Sequence, residues 1–201
     1  PFLAHYWSLG VEEQFYLFLP WIIRCLSKKT LIRFLISMVL LAPLLRLFLI
    51  VFNPWHFPNP WWGVYQLLPC RMDSLFLGVL LAYFLMSTSL LKFVKENLKL
   101  FYTGFVVCMA GIVIFTLKYE SLLHRELMTF GLSWLSLSCV LLILLSLADP
   151  GRAGKFFRSP LLCHWGRISY FMYLFHNPIL EFLRALFFKK GSHSSKRIKR
   201  S

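Results

Sequence analysis

Apolar residues form six long runs along this chain, separated by short polar segments. About 20 consecutive apolar residues are needed to cross the hydrocarbon core of a bilayer as a helix. Sustained alternation of apolar and polar positions, which would predict strands, is absent, and an open sheet edge cannot face lipid. The pattern predicts an all-α integral membrane protein with about six transmembrane helices. They lie near 11–27, 34–52, 67–86, 100–117, 127–147 and 166–188.

Composition supports a bilayer as the solvent. Hydrophobic residues make up 58% of the 201, and charged residues only 15%, whereas an average soluble domain carries about 25% charged residues. The 22 Lys and Arg against 8 Asp and Glu give a charge of +14. These basic residues lie between the apolar runs and in the tail rather than along one aromatic-bearing stripe, so no nucleic-acid partner is predicted. The five cysteines lack the spacing of a metal or redox site, and no metal is predicted.

The loops between the runs alternate in charge and predict an orientation. Lys and Arg follow the first run, are absent from 53–66, and return after the third and fifth runs. Cytoplasmic loops are the basic ones, so 53–66 is predicted to lie on the outer side of the membrane. By this count the basic tail 189–201, predicted to be disordered, would also lie outside. This mismatch has three explanations: a final span is missing from this sequence, the sixth run does not cross fully, or the tail is not the natural end. The first is favoured.

The first run opens with an unusual polar cluster. Ser8, Glu12 and Tyr16 recur every fourth residue and would share one helix face, while Glu13 and Gln14 point elsewhere. One interpretation is purely structural, with Ser8 as an N-cap and carboxylates in the first turn stabilising the helix dipole. Two carboxylates followed by an amide and a phenol at the mouth of a span favour a polar functional site.

Two further clusters lie at the third and sixth runs. Arg71 and Asp73 are two positions apart and cannot face each other on a helix. Each is predicted to pair with a group elsewhere or to anchor the span at the interface. Ser169, Tyr173 and His176 would share a face of the last run. A histidine within a membrane often only hydrogen-bonds a backbone carbonyl. Contact with a substrate and such a structural hydrogen bond are therefore both open interpretations for His176.

Three segments resemble the acyltransferase-3 family of polytopic membrane enzymes, which includes bacterial O-antigen acetylases. They are HYWSLGVEEQFYLFLP at the start, RMDSLFLGVLLAY at the third run, and WGRISYFMYLFHNP at the sixth. They occur in the family's order, and the first is long and specific. The resemblance extends from residue 1 to about 184.

The resemblance implies about ten helices and transfer of an acyl group, usually acetyl, from cytoplasmic acyl-CoA to a hydroxyl of an envelope glycan or lipid-linked sugar. No tightly bound cofactor is implied. The family's catalytic histidine lies in its first helix, which this sequence does not match. Residues 1–188 are therefore expected to form an incomplete acyltransferase domain, inactive alone, in which Glu12 and Glu13 support catalysis. Substrate-binding roles are expected for His5, Ser8, Gln14, Tyr16, Arg71, Asp73, Ser169, Tyr173 and His176.

Two other function classes fit a polytopic chain with charges near its spans. Part of a transporter or flippase would use its intramembrane Glu and Arg along a solute pathway. A structural membrane subunit would use them only to hold helices together. Membrane lipid is an expected partner in all three cases. Labelling of envelope glycan that depends on acetyl-CoA separates the acyltransferase from both alternatives.

Overall fold

The computed structural model describes residues 7–53, 64–87, 89–118 and 127–195. Within these residues the chain is helical apart from short turns and contains no strand, which confirms the all-α prediction. The helices are α1 (Trp7–Cys25), α2 (Lys28–Phe52), α3 (Met72–Ser87), α4 (Leu90–Glu96), α5 (Leu98–Lys118), α6 (Leu132–Ala148), α7 (Arg152–Phe157) and α8 (Pro160–Ser195). A 3-10 turn, Leu68–Arg71, precedes α3, and a π-helical turn, Leu127–Gly131, precedes α6.

The chain divides into two compact units. One contains residues 9–157, and the other contains residues 1–8 and 158–201. In the larger unit, α3 packs against α2 and α6, and α6 packs against α5. One core cluster forms around Phe15, Leu35 and Phe76, and a second forms around Leu81 and Leu144. Helix α3 contributes to both clusters and is therefore central to this unit.

Among the helices of the described residues, four are long and apolar enough to cross a membrane. They are Lys28–Phe52, Leu68–Met86, Leu98–Lys118 and Leu127–Ala148, which correspond to the second to fifth predicted runs. The first and sixth runs are helical as α1 and within α8, but neither is among the four, and the count of six is not confirmed. Glu12, Glu13 and Arg24 all lie within the 19 residues of α1 and reduce its apolar character.

Helix α8 is longer than its apolar run. It spans 36 residues and continues to Ser195, which extends helical structure into the 189–201 segment predicted to be disordered. Residues 196–201 lie outside the described part of the chain. Because 189–195 directly follow an existing helix, extending it avoids the cost of nucleating a new one.

The predicted orientation can be tested by cysteine accessibility. In a variant without the five native cysteines, a cysteine replacing His56 should react with a membrane-impermeant maleimide on intact spheroplasts. A cysteine replacing Lys28 should react only after permeabilisation, because basic loops are retained in the cytoplasm. The reverse pattern would show that the orientation is inverted, and would leave the four span-length helices unaffected.

Candidate functional site

The most deeply buried charged groups among the described residues form an ion pair between two spans of the larger unit. The guanidinium of Arg46, on α2, contacts the carboxylate of Asp73, on α3. Arg46 is 0% exposed and Asp73 is 1% exposed. A charge at this depth is costly unless it is paired and hydrogen-bonded. The pair therefore explains how two apolar helices tolerate opposite charges.

Helical periodicity directs Arg46 into the protein. The buried positions of α2 are Leu31, Leu35, Ala42 and Arg46, a spacing that keeps them on one face of the helix. The Nε of Arg46 donates to the carbonyl of Ala42, one turn earlier, at 3.4 Å. Arg46 thus extends the apolar stripe that packs against α3, and the stripe ends in a charge.

A third helix completes the cluster through Ser133 at the start of α6. Its hydroxyl donates to Asp73 Oδ2 at 2.5 Å and accepts from Arg46 Nη2 at 2.9 Å. The other carboxylate oxygen, Oδ1, accepts from the backbone N–H of Ser74 at 2.9 Å. Arg46, Asp73 and Ser133 thus join three spans, and below they are called the buried triad.

One hydrogen-bond donor of the buried triad has no acceptor among the described residues. Nη2 of Arg46 uses its protons on Asp73 and Ser133, but the buried Nη1 has no hydrogen-bond partner among the described residues. An unsatisfied buried donor costs about 1–3 kcal/mol, and more when it is charged. The net stabilisation from the triad is therefore smaller than its contacts suggest.

Arg71 lies near Asp73 in sequence but has different surroundings. Its Nε donates to the carbonyl of Tyr65 at 3.2 Å, and its guanidinium carbon lies 4.3 Å from the centroid of the Tyr65 ring. For Asp73 the structure shows the first of the two predicted alternatives, pairing with a group elsewhere, and Arg71 contacts Tyr65 rather than Asp73. Asp73 is buried within the bundle, whereas Arg71 is partly exposed and stacked on an aromatic face.

The polar cluster of the first run lies on the exposed side of α1. Val11 and Phe15 are buried, whereas Glu12, Glu13, Gln14 and Tyr16 are exposed. The first turn of α1, which begins at Trp7, holds no acidic residue. Acidic side chains interact favourably with the helix dipole only within about the first turn. This interaction therefore does not explain why the two glutamates occur at these positions. His5, predicted to belong to this cluster, lies outside the described residues.

The smaller unit contains the remaining predicted residues. The hydroxyl of Ser8 hydrogen-bonds the phenol of Tyr173 on α8. His176 lies one turn beyond, and its Nδ1 bonds the carbonyl of Tyr173 at 2.6 Å. Ser169 donates to the carbonyl of Gly166 at 2.7 Å. Two of these predicted residues, Ser8 and Tyr173, are therefore in side-chain contact, while His176 and Ser169 bond the backbone of their own helix.

Sequence reasoning missed Arg46 and Ser133. Arg46 had a usable signal, because it lies inside the apolar run 34–52, and a charge within a span is itself a functional-site indicator. Ser133 had no such signal, since α6 also contains Ser136, Ser138 and Ser146. Only the packing of α6 on α3 distinguishes Ser133 from the other three.

Comparison with known proteins decides the family. A model of an acyltransferase domain matches residues 1–195. The chain belongs to the acyltransferase-3 family. With four span-length helices, this family member is an integral membrane protein, as predicted. The HYWSLGVEEQFYLFLP segment that carries the polar cluster of α1 lies within the match.

Two relatives in Staphylococcus aureus are similar over nearly the whole chain. One, from strain COL, is provisionally named an O-acetyltransferase and is 29% identical over 191 residues, covering 92% of this chain and 31% of its own. The other, the O-acetyltransferase OatA of strain NCTC 8325, is 26% identical over 190 residues. The match covers 92% of this chain and 30% of the length of OatA. The chain thus spans about a third of the length of these relatives. No solved structure matches this chain significantly.

Proposed function

We propose that the chain is part of a membrane-bound O-acyltransferase that moves an acetyl group from acyl-CoA to a hydroxyl of an envelope glycan or lipid-linked sugar. The observation that carries the proposal is the match of an acyltransferase domain to residues 1–195. Relatives named as O-acetyltransferases support the acetyl group and the oxygen acceptor. The donor, the acceptor and the inner-membrane location are further parts of the proposal.

The reaction requires a base and stabilisation of an oxyanion. The acceptor oxygen attacks the thioester carbonyl, its proton passes to a general base, and the thiolate of CoA leaves. In the proposal the base is the histidine of the family's first helix. Glu12 or Glu13 orients that histidine or the acceptor, and Arg71 contacts a phosphate through its guanidinium. No acyl-enzyme step is needed, so neither Ser8 nor Ser169 is assigned as a nucleophile.

The described interior of the larger unit does not favour the alternative of a transporter or flippase. The charges of Arg46 and Asp73 are directed at each other. The large cavity of the bigger unit is lined almost entirely by apolar side chains. A polar solute pathway would require polar side chains along a continuous route.

Acetyl transfer can be measured in membranes. Membranes containing the full natural gene product should transfer radiolabel from [acetyl-14C]acetyl-CoA to a glycan fraction, and mild alkali should release the label because O-acetyl esters are base-labile. Membranes from a deletion strain are the control. Label that stays in CoA, or that enters an alkali-stable product, would contradict O-acetyl transfer. Residues 1–201 expressed alone are expected to show no transfer.

A further inference from the structure

A large apolar cavity lies between α5 and α6, and neither the buried triad nor the α1 glutamates are among its lining residues. Its volume is about 720 Å³, within the range of about 300–1,000 Å³ typical of ligand sites. The walls include Ile112 and Phe115 from α5 and Met128, Trp134 and Leu135 from the π-helical turn and α6. A lining of this kind favours a hydrocarbon ligand over a sugar or a nucleotide.

Specific contacts hold the cavity wall in place. The indole N–H of Trp134 donates to the carbonyl of Cys108 at 2.9 Å. The ring lies against Gly111, where an added Cβ would approach Cζ2 of Trp134 to 3.1 Å. Glycine at this position therefore makes room for the indole, and the hydrogen bond fixes the ring's orientation. The wall is thus built by defined side-chain contacts.

A cation lies next to one of the residues that line the cavity. Tyr65 is one of the lining residues, and the guanidinium of Arg71 is stacked on its ring. Arginine has five N–H donors in a planar fork that suits phosphate oxygens. Stacking on the ring and the Nε bond to Tyr65 both fix the plane of this fork. The site therefore combines an apolar volume with a cation suited to phosphate.

The position of the site in the membrane fits a lipid. Both walls belong to span-length helices, Leu98–Lys118 and Leu127–Ala148. The loop charges predict that the C-terminal end of α5 and the N-terminal end of α6 lie at the outer surface. Arg71, next to the predicted outer segment 53–66, would then lie at headgroup level. A chain entering the cavity would point from this surface towards the membrane centre.

We infer that this cavity binds an acyl chain of an outer-leaflet anionic phospholipid whose phosphate contacts Arg71. The inference rests on the phosphate-binding role proposed above for Arg71, but it does not require acyl transfer. Phosphatidylglycerol is the probe of choice because it combines a phosphate, a net negative charge and acyl chains. The bound lipid would fill apolar volume between two spans at the outer end of the larger unit.

Photo-crosslinking tests the assignment directly. The full natural protein is placed in nanodiscs containing phosphatidylglycerol with a photoreactive group on one acyl chain, without acetyl-CoA. Adducts are mapped by peptide mass spectrometry. They should concentrate on residues 112–116 and 127–135. Ile112→Trp should reduce them at least about fivefold by filling the cavity, and Arg71→Gln should reduce them about fivefold, the effect of one interfacial cation.

A matched substitution provides the control. Ile114 is exposed on the same helix and does not line the cavity, so Ile114→Trp should leave labelling unchanged. Leu135→Trp fills the cavity from α6 and replaces Ile112→Trp if that variant does not fold. Equal labelling in the filled and control variants would overturn the inference. So would competition by a polyprenyl phosphate but not by unlabelled phosphatidylglycerol. Because no acyl donor is present, a lack of acetyl transfer would not affect these results.

Discussion

Replacing Arg46 with leucine is expected to destabilise the protein by about 3–5 kcal/mol, because it leaves the carboxylate of Asp73 buried without its charge partner. Asp73→Leu should cost a similar amount by leaving the guanidinium unpaired. The measurement is the free energy of unfolding in mixed micelles titrated with SDS. Arg33→Leu is the matched control, since it removes an exposed arginine from the same helix and should change stability by about 0.5 kcal/mol or less.

The double variant Arg46→Leu/Asp73→Leu separates pairing from packing. Replacing both members of a buried pair by apolar side chains is often neutral or even stabilising. The double variant should therefore recover most of the stability lost in either single variant. The unpartnered Nη1 of Arg46 strengthens this expectation, because its desolvation penalty also disappears. Additive losses would show that the two residues act independently and that the contact contributes little to stability.

Replacing Glu12 with glutamine is expected to lower acetyl transfer by about 100-fold or more, the scale of a lost acid–base contribution, while the protein inserts normally. Helix geometry favours Glu12 over Glu13, because Glu12 shares a face with Ser8 and Tyr16. The variants Glu12→Gln and Glu13→Gln are made in the full natural protein, and transfer is normalised to membrane abundance. Glutamine is nearly isosteric, so the comparison isolates the charge.

The positions of Glu12 and Glu13 in the structure determine how unchanged transfer in their variants would be interpreted. Both glutamates are exposed and lie beyond the first turn of α1, so neither contributes to a buried core or a helix cap. A structural role would predict a loss of protein from the membrane, whereas a role in chemistry predicts a loss of turnover at equal abundance. Near-normal transfer in both variants would remove the α1 glutamates from the proposed site.

Sequence patterns predicted the helices better than the interior contacts. The second to fifth apolar runs became span-length helices because length and hydropathy alone decide whether a helix can cross lipid. The first and sixth runs were not confirmed as spans, and both contain charged residues that lower their hydropathy: Glu12, Glu13 and Arg24 in α1, and Glu181 and Arg184 in α8. The pairing of Asp73 with a group elsewhere was predictable from helix geometry. Its partner was not identified, because periodicity gives the face of each helix but not which faces meet.

The candidate site was likewise predictable only in part. The α1 cluster was found from the sequence because carboxylates are rarely found beside an apolar run. The cavity between α5 and α6 left no such signal, since its lining is as apolar as the surfaces that face lipid. Gly111 and Trp134 are 23 positions apart, and nothing in the sequence relates the missing side chain of one to the indole of the other.

Helix α8 is longer than the hydrocarbon core of a bilayer is thick. Its 36 residues extend about 54 Å at 1.5 Å per residue, against a hydrocarbon core about 30 Å thick. Even at a tilt of 40°, the upper end of the usual range, a straight helix of this length would rise about 41 Å. If α8 crosses the bilayer, the boundary between lipid and water falls within the helix rather than at a loop. Its backbone hydrogen bonds would then continue from the hydrocarbon core into the headgroup region without a break.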